Sequence, residues 1–170
     1  MRFAPGPCRD DEQKLEALME SYGTQVKRLC CLYLKDMSLA EDAAQETFIK
    51  VWRSLPRFRG ECSERTWLMR IAVNTCRDMH RSSWFRRLDR RVTPEDLPLA
   101  APGPEEPALA EAIIRLPLRD REVLLLRYYE RLSADEIAHM LQQPLNTVKS
   151  RLTRAKKKLK QMLEGWNADD

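Results

Sequence analysis

One short stretch of this 170-residue sequence, from residue 144 to residue 160, is densely basic. The stretch contains no acidic residue, and its seven basic residues are Lys149, Arg151, Arg154, Lys156, Lys157, Lys158 and Lys160. Apolar residues recur in it every three or four positions, at Val148, Leu152, Ala155 and Leu159. This spacing predicts an amphipathic helix with one buried face. Because Lys and Arg bind phosphate, the opposite face is predicted to meet a polyanion such as DNA.

A shorter helix is predicted just before the basic one. Ser133 and Glu136 have the spacing of a capping box, and residues 143–146 form a short break, so the two helices have the order of a helix-turn-helix. Their shared core is predicted to contain Ile137, Leu141, Val148 and Leu152, with Ala138 at the closest approach. The side chains offered to phosphates and base edges are Thr147, Lys149, Ser150, Arg151, Thr153, Arg154 and Lys156. The alternative is a solvated lysine-rich helix, but the capped helix before it favours DNA binding.

Two other stretches carry weaker signals. In FRGECSERTWLMRIAVNTCRD, residues 58–78, loop arginines precede an aromatic residue and an asparagine on a basic helix, a combination that can hold a strand backbone and unstacked bases. Trp67 is nevertheless predicted to be mainly a core residue. In SLAEDAAQETFIKVW, residues 38–52, a capping box from Ser38 to Glu41 is predicted to open a helix. Its apolar residues face inward and leave an acidic surface, which alone indicates only a solvated face.

The composition argues against several classes of function. The five cysteines include no C-x-x-C pair, which argues against a disulfide framework, and the two histidines lie far from any cysteine pair that could complete a zinc site. Reduced cytosolic thiols are predicted, with an oxidant sensor as the other possibility. We expect no leader peptide or membrane span, because no apolar stretch is long enough. The sequence has no nucleophile–base or metal-ligand constellation, so neither an enzyme nor a cofactor is expected.

Helical periodicity in both halves of the chain predicts an all-α fold. One predicted helix extends from Arg119 to Leu132. Between the halves, five prolines interrupt helix formation and favour an extended tether: Pro94, Pro98, Pro102, Pro104 and Pro107. We therefore predict two small helical domains, residues 1–91 and 108–170, joined by a Pro-rich flexible linker at residues 92–107.

Taken in their order along the chain, the acidic helix, the loop with its basic helix and the helix-turn-helix resemble the extracytoplasmic-function (ECF) sigma factors. These are the two-domain class of bacterial RNA polymerase specificity subunits. AEDAAQETFIKVW is similar to the acidic helix of their second region, and FRGECSERTWLMRIAVNTCRD to their promoter-melting loop and helix. LPLRDREVLLLRYYERLSADEIAHMLQQPLNTVKSRLTRAKKKL resembles the helix-turn-helix of their fourth region. The resemblance covers residues 12 to 163, approximately, and implies a protein that directs core polymerase to promoters and initiates transcription.

The resemblance also implies roles for individual residues. Asp42, Gln45 and Glu46 match positions that contact the clamp helices of the polymerase β′ subunit, and the second domain would contact the β flap. The positions that match the minus-ten DNA site are Phe58, Arg59, Gly60, Glu61, Cys62, Ser63, Trp67, Asn74 and Arg77. The face that reads the minus-thirty-five element is matched by Lys149, Ser150, Arg151, Thr153 and Arg154. Asn146 stands where members of the family often have Gly in the turn, and Asn tolerates the left-handed conformation expected there.

The family further implies an anti-sigma factor that masks both domains. The expected location is the cytoplasm, with the chain either on the nucleoid with RNA polymerase or held at the membrane by that factor. Two other hypotheses stay open at this point: a stand-alone regulator that binds operators as a dimer, and an adaptor that binds only protein. The first gives no role to the loop or the acidic helix, and the second leaves the basic face unexplained.

Overall fold

In the computed structural model, residues 9–82 and 107–166 are described. Within these ranges the chain forms helices and connecting turns without a strand, which confirms the all-α prediction. The described residues fall into two compact units. The predicted linker lies outside the described ranges except for Pro107, which begins a helix. In the described parts of the chain, no helix is both long and apolar enough to cross a membrane.

The first unit contains three helices, α1 (Arg9–Leu34), α2 (Met37–Ser54) and α3 (Glu64–Arg81), with a 3-10 turn at Leu55–Arg57. Each helix buries a stripe of apolar residues spaced three or four positions apart, as an amphipathic helix packed on a core requires. The fully buried residues include Val26, Leu29, Cys30, Leu32, Ala40, Ala43, Val51, Leu68, Ala72 and Cys76. Several of them are small, which lets the three helices approach closely.

Helix α2 begins earlier than its sequence pattern predicted. Its N-cap is Asp36, whose Oδ1 accepts a hydrogen bond from the backbone N–H of Leu39 at 2.9 Å. The predicted capping box from Ser38 to Glu41 is therefore wrong, because Ser38 already lies in the first helical turn. The cause is Lys35, whose left-handed backbone (φ 57°) turns the chain after α1 and leaves Asp36 in the extended conformation of an N-cap.

The second unit contains α4 (Pro107–Arg115), α5 (Leu118–Leu124), α6 (Ala134–Leu141) and α7 (Leu145–Trp166). Its fully buried residues include Ala112, Leu116, Val123, Leu125, Leu126, Ile137, Val148 and Ala155.

Arg121 is a buried cation that closes the end of α4. Its guanidinium Nη1 donates hydrogen bonds to the carbonyl oxygens of Ile114 at 3.0 Å and Leu116 at 3.2 Å. The last carbonyl groups of a helix have no partner within the helix, so a buried helix end needs a donor of this kind.

The helix predicted from Arg119 to Leu132 is interrupted. A π-helical turn at Leu125–Tyr129 follows α5, with the N–H of Glu130 donating to the carbonyl oxygen of Leu125 at 3.0 Å. Arg131 then adopts a left-handed conformation (φ 57°) and ends the helical segment. Tyr128, within this turn, is 50% exposed.

The turn between α6 and α7 also differs in part from its prediction. The capping box of α6 is confirmed, because Ser133 Oγ accepts from the Glu136 N–H at 3.1 Å and Glu136 Oε2 accepts from the Ser133 N–H at 2.7 Å. The left-handed residue is Gln142 (φ 52°), and the prediction of Asn146 for this role is wrong. Asn146 lies inside α7, since the carbonyl oxygen of Pro144 already accepts the first helical hydrogen bonds.

Replacing Asp36 by Ala removes the side-chain acceptor at the start of α2. We expect the first unit to lose about 1 kcal/mol of its free energy of unfolding. The matched control, Ser38→Ala, should change this free energy by less than about 0.5 kcal/mol, because it alters an exposed side chain outside the cap. Hydrogen exchange of the buried backbone amides of Val51 and Leu68 measures both effects. Equal losses in the two variants would contradict the assignment of the cap.

Replacing Gln142 by Gly is expected to stabilise the second unit by about 1 kcal/mol, because Gly adopts the left-handed conformation without a steric penalty at Cβ. Replacing Asn146 by Gly should instead destabilise it by roughly 0.5 kcal/mol, because the position is helical. Hydrogen exchange of the amides of Val148 and Leu152 reports both free energies. Stabilisation by Asn146→Gly would show that the turn lies where the sequence pattern placed it.

Candidate nucleic-acid interface

The segment from Phe58 to Ser63 is an exposed loop with both ends fixed. At its start, the N–H of Phe58 donates to the carbonyl oxygen of Leu55 at 3.0 Å. At its end, Ser63 caps α3 by accepting a hydrogen bond from the N–H of Thr66 at 3.1 Å. Gly60 has φ of 72°, a conformation that Gly adopts without steric cost. The exposed residues of the segment are Arg59, Gly60, Glu61 and Ser63.

An aromatic pair lies at the base of this loop. The rings of Phe58 and Trp67 stack with their centroids 4.5 Å apart and an angle of 28° between their planes. Both side chains are half-buried, so the prediction that Trp67 is mainly a core residue is only partly right. It lies at the edge of the core and stays partly exposed, and a partly exposed aromatic side chain can stack with an unpaired base.

Lys14, on α1, contacts the same pair. Its Nζ lies 5.2 Å from the centroid of the Phe58 ring and 2.9 Å from Oε1 of Glu64, in the first turn of α3. No sequence pattern indicated this residue, because Lys14 is far from the loop along the chain and belongs to none of the motifs. Only the packing of α1 beside α3 brings it there.

Asn74 and Arg77 lie farther along α3. Trp67 and Asn74 are two turns apart, so their side chains leave the helix on the same side. Asn74 is exposed and Arg77 is half-buried. The fold therefore brings Trp67, at the base of the exposed loop, and the exposed amide of Asn74 to one side of α3.

The acidic surface of α2 has the spacing that the sequence predicted. Asp42 and Gln45 are exposed, and Glu46, one turn from the buried Ala43, is half-buried. Ile49 continues the same side one turn beyond Gln45 and is 44% exposed. The sequence reading missed it, although an apolar residue in line with polar ones was a usable signal. The surface thus offers a protein partner both negative charge and an apolar contact.

The shared core of α6 and α7 is confirmed. Ile137, Leu141, Val148, Leu152 and Ala138 are all buried, as predicted. The opposite side of α7 carries the predicted binding residues: Lys149, Ser150, Thr153, Arg154 and Lys156 are exposed, and Thr147 and Arg151 are half-buried.

Two lysines of α7 are engaged with groups of the protein itself. Nζ of Lys158 pairs with Oδ2 of Asp120 at 2.7 Å, and the Asp120 side chain is only 5% exposed. Nζ of Lys156 lies 5.2 Å from the centroid of the Tyr128 ring, in a cation–π contact. Their positive charge is therefore partly used within the unit, which the count of basic residues in the sequence did not reveal.

The other cations of the predicted binding face also differ in whether another group of the protein binds them. Arg151 donates a hydrogen bond from Nη1 to Oε1 of Gln143, which holds its guanidinium beside the α6–α7 turn. The side chains of Lys149 and Arg154 have no ion-pair partner among the residues that the structure describes. These two exposed cations are thus available to phosphate groups.

Three of the four thiols in residues 9–82 are buried. Cys30, Cys31 and Cys76 are buried, and Cys62 is half-buried in the exposed loop. A hydrogen bond to the Cys76 thiol, together with burial, raises the pKa of the Cys30 thiol well above its usual value. A thiol of this kind is protonated at neutral pH and reacts slowly with oxidants. In the described ranges, no group of three or more His, Cys, Asp or Glu side chains is placed to hold a metal ion.

Two protein-family models match the chain. Sigma-70 region 2 matches residues 18–86, and Sigma-70, region 4 matches residues 107–159. The RNA polymerase sigma-H factor of Pseudomonas aeruginosa is 34% identical, over 92% of this chain and 89% of that protein. The ECF RNA polymerase sigma-E factor of Haemophilus influenzae is 30% identical, over 91% of this chain and 89% of that protein.

Solved structures share the fold. CnrH, in complex with the cytosolic domain of CnrY, matches 91% of this chain and 90% of its own with a TM-score of 0.66 and 25% identity. The sigma factor RpoE from Bartonella quintana, in complex with the anti-sigma factor NepR, matches 92% of this chain and 98% of its own with a TM-score of 0.70. At 19% identity, the second match shows a common fold alone.

Arg154→Ala and Lys158→Ala remove the same charge from α7 but should act differently. Arg154→Ala should weaken binding to duplex DNA and reduce the slope of log affinity against log salt concentration by about 1, because a phosphate contact is lost. Lys158→Ala should leave that slope unchanged. It should instead lower the free energy of unfolding of the second unit by about 1–3 kcal/mol, because Asp120 stays buried without its partner.

Fluorescence anisotropy over a salt series measures the slope for each variant, and hydrogen exchange of buried amides in α5 and α7 measures stability. Equal reductions of the slope in both variants would contradict the division of the α7 cations into available and engaged groups.

Proposed function

The chain belongs to the extracytoplasmic-function class of RNA polymerase sigma factors, and from this premise we propose which side chains recognise promoter DNA and core polymerase. As a sigma factor it is a transcription initiation factor that directs core RNA polymerase to promoters. The observation that carries the residue-level proposal is the stacked pair of Phe58 and Trp67, beside an exposed loop and on the same side of α3 as Asn74.

The loop and α3 capture a base of the melted minus-ten element. Flipping a base out of a duplex costs a few kcal/mol, and stacking on an aromatic side chain returns roughly 1–3 kcal/mol of that cost. The amide of Asn74 can both donate to and accept from a base edge, which gives the pocket a preference among bases. The strand next to the flipped base lies along the rest of this surface: Arg59, Gly60, Glu61, Cys62, Ser63 and Arg77.

Helix α7 reads the duplex minus-thirty-five element from the major groove. Lys149 and Arg154 bind phosphates on either side of the groove, since they are exposed and have no ion-pair partner within the described residues. Phosphate contacts set the position of the helix, whereas sequence is read by side chains that reach base edges. The residues in line for base edges and nearby backbone are Thr147, Ser150, Arg151, Thr153 and Lys156.

The acidic side of α2 binds core polymerase. Asp42, Gln45 and Glu46 contact the clamp helices of the β′ subunit, and Ile49 adds an apolar contact on the same side. The second unit contacts the β flap. Each DNA contact is weak alone, but once core polymerase holds both units, the second contact forms at high effective concentration.

A protein partner of the anti-sigma type keeps the chain inactive until a signal arrives, and the chain works in the cytoplasm, where it meets polymerase and DNA. Support comes from CnrH, 25% identical to this chain, which was solved in complex with the cytosolic domain of CnrY. The likeness extends over 91% of this chain, so surfaces of both units have counterparts in that complex.

Run-off transcription with purified bacterial core polymerase tests the proposal, on a library of promoter fragments with and without this protein. We expect transcripts that appear only with the protein, from templates that share two spaced elements. An absence of transcripts and of association with polymerases from several bacteria, together with tight operator binding, would favour a stand-alone helix-turn-helix regulator.

On a promoter found in this way, Asn74→Ala should lower the opening rate by roughly tenfold and reduce the preference for one base in the minus-ten element, because a base-edge contact is lost. Thr24→Ala, an exposed polar residue on α1, is the control and should open the promoter normally. Transcription from templates with each base at the flipped position gives both quantities. An unchanged base preference in Asn74→Ala would show that the pocket lies elsewhere.

A further inference from the structure

One side chain of α1 joins the two ends of the exposed loop. The ammonium of Lys14 lies 5.2 Å from the centre of the Phe58 ring, where the loop begins, and 2.9 Å from the carboxylate of Glu64, just after it ends. Phe58 in turn stacks on Trp67 at 4.5 Å. The ammonium of Lys14 therefore contacts both the aromatic pair proposed to receive the base and the carboxylate of Glu64 in the first turn of α3.

The contribution of this contact to folding stability is small. The side chains of Lys14 and Glu64 are 40% and 47% exposed, and exposed ion pairs contribute about 0–1 kcal/mol. An exposed cation–π contact adds roughly 0.5–1 kcal/mol. The unit already has a continuous apolar core and does not depend on this pair. Its effect lies instead in the orientation of one ring and the charge at the entrance to the loop.

We infer that Lys14 is a positioning residue for capture of the melted minus-ten strand, an inference that rests on the function proposed above. Its ammonium lies over one face of Phe58 while Trp67 stacks on the ring, so the pair is held in place and the partly exposed Trp67 is left to receive a base. It also neutralises Glu64, whose carboxylate would otherwise repel the phosphates of the incoming strand. Because the pair is exposed, the ammonium can exchange Glu64 for a strand phosphate as the base enters.

The test uses holoenzyme formed from the full chain and core polymerase, on the promoter identified by run-off transcription. Opening is followed by fluorescence of 2-aminopurine in the minus-ten non-template strand, and affinity by competition with a single-stranded minus-ten oligonucleotide. Lys14→Ala should reduce both by roughly fivefold. Binding to a duplex fragment that contains only the minus-thirty-five element should stay unchanged.

Two further variants separate positioning from damage to the fold. Lys14→Arg should restore opening, because Arg also carries a positive charge and stacks on aromatic faces. Glu64→Gln, added to Lys14→Ala, should recover part of the loss, because the carboxylate that repels phosphate is gone. Lys27→Ala is the matched control: this α1 lysine also pairs with an exposed carboxylate, Glu41 at 2.7 Å, and its removal should leave opening unchanged.

Normal opening by Lys14→Ala would overturn the inference. A loss that neither Lys14→Arg nor the added Glu64→Gln relieves would overturn it as well, because that result indicates a structural defect. If the wild-type holoenzyme opens no promoter, the proposed function itself fails, and the inference fails with it. That outcome is distinct from normal wild-type opening combined with an unaffected Lys14→Ala variant.

Discussion

Apart from the residues of the exposed loop, the exposed groups assigned to a partner lie on helices whose other side is buried, and that packing fixes where each group points. In the first unit, Leu68 and Ala72 hold α3 against α1 and α2, so Asn74 faces outward. In the second, Val148 and Ala155 seat α7 on the other helices of the unit, which turns its basic side to solvent. The geometry of both interfaces thus depends on the burial of apolar stripes, the dominant favourable term in folding.

The same packing makes chemically identical side chains unequal. Lys158 faces the buried carboxylate of Asp120, whereas Arg154 faces solvent on the same helix. A buried carboxylate without a partner is costly, so the unit uses one lysine of the basic helix to compensate it. In the first unit, Lys14 links the aromatic base of the loop to Glu64. Some charged side chains therefore stabilise or position groups within their own unit, whereas others remain exposed to partners.

Helix boundaries were predicted less well than helices. Lys35, Arg131 and Gln142 all adopt left-handed backbone conformations, yet none is Gly or Asn, the residues by which such turns are recognised in a sequence. Each of these residues lies at a boundary that was predicted incorrectly. After Lys35, Asp36 replaced Ser38 as the cap of α2. Arg131 ended the segment that was predicted to reach Leu132, and Gln142 replaced Asn146 in the turn before α7. At these positions, the cost of a strained residue is outweighed by the packing of the helices on either side.

The sequence by itself determined the all-α fold, the helix-turn-helix core and the order of the three stretches that identify the family. These features depend on local periodicity and capping, which are written in neighbouring residues. Only the tertiary structure decided that Phe58 stacks on Trp67, that Lys14 reaches both Phe58 and Glu64, and which cations of α7 remain available. The contacts of Lys14 and Lys158 join residues far apart in the chain, and the stacking of Phe58 on Trp67 depends on the path of the loop between them. No local pattern encodes which of many similar charged or aromatic side chains will meet when the helices pack.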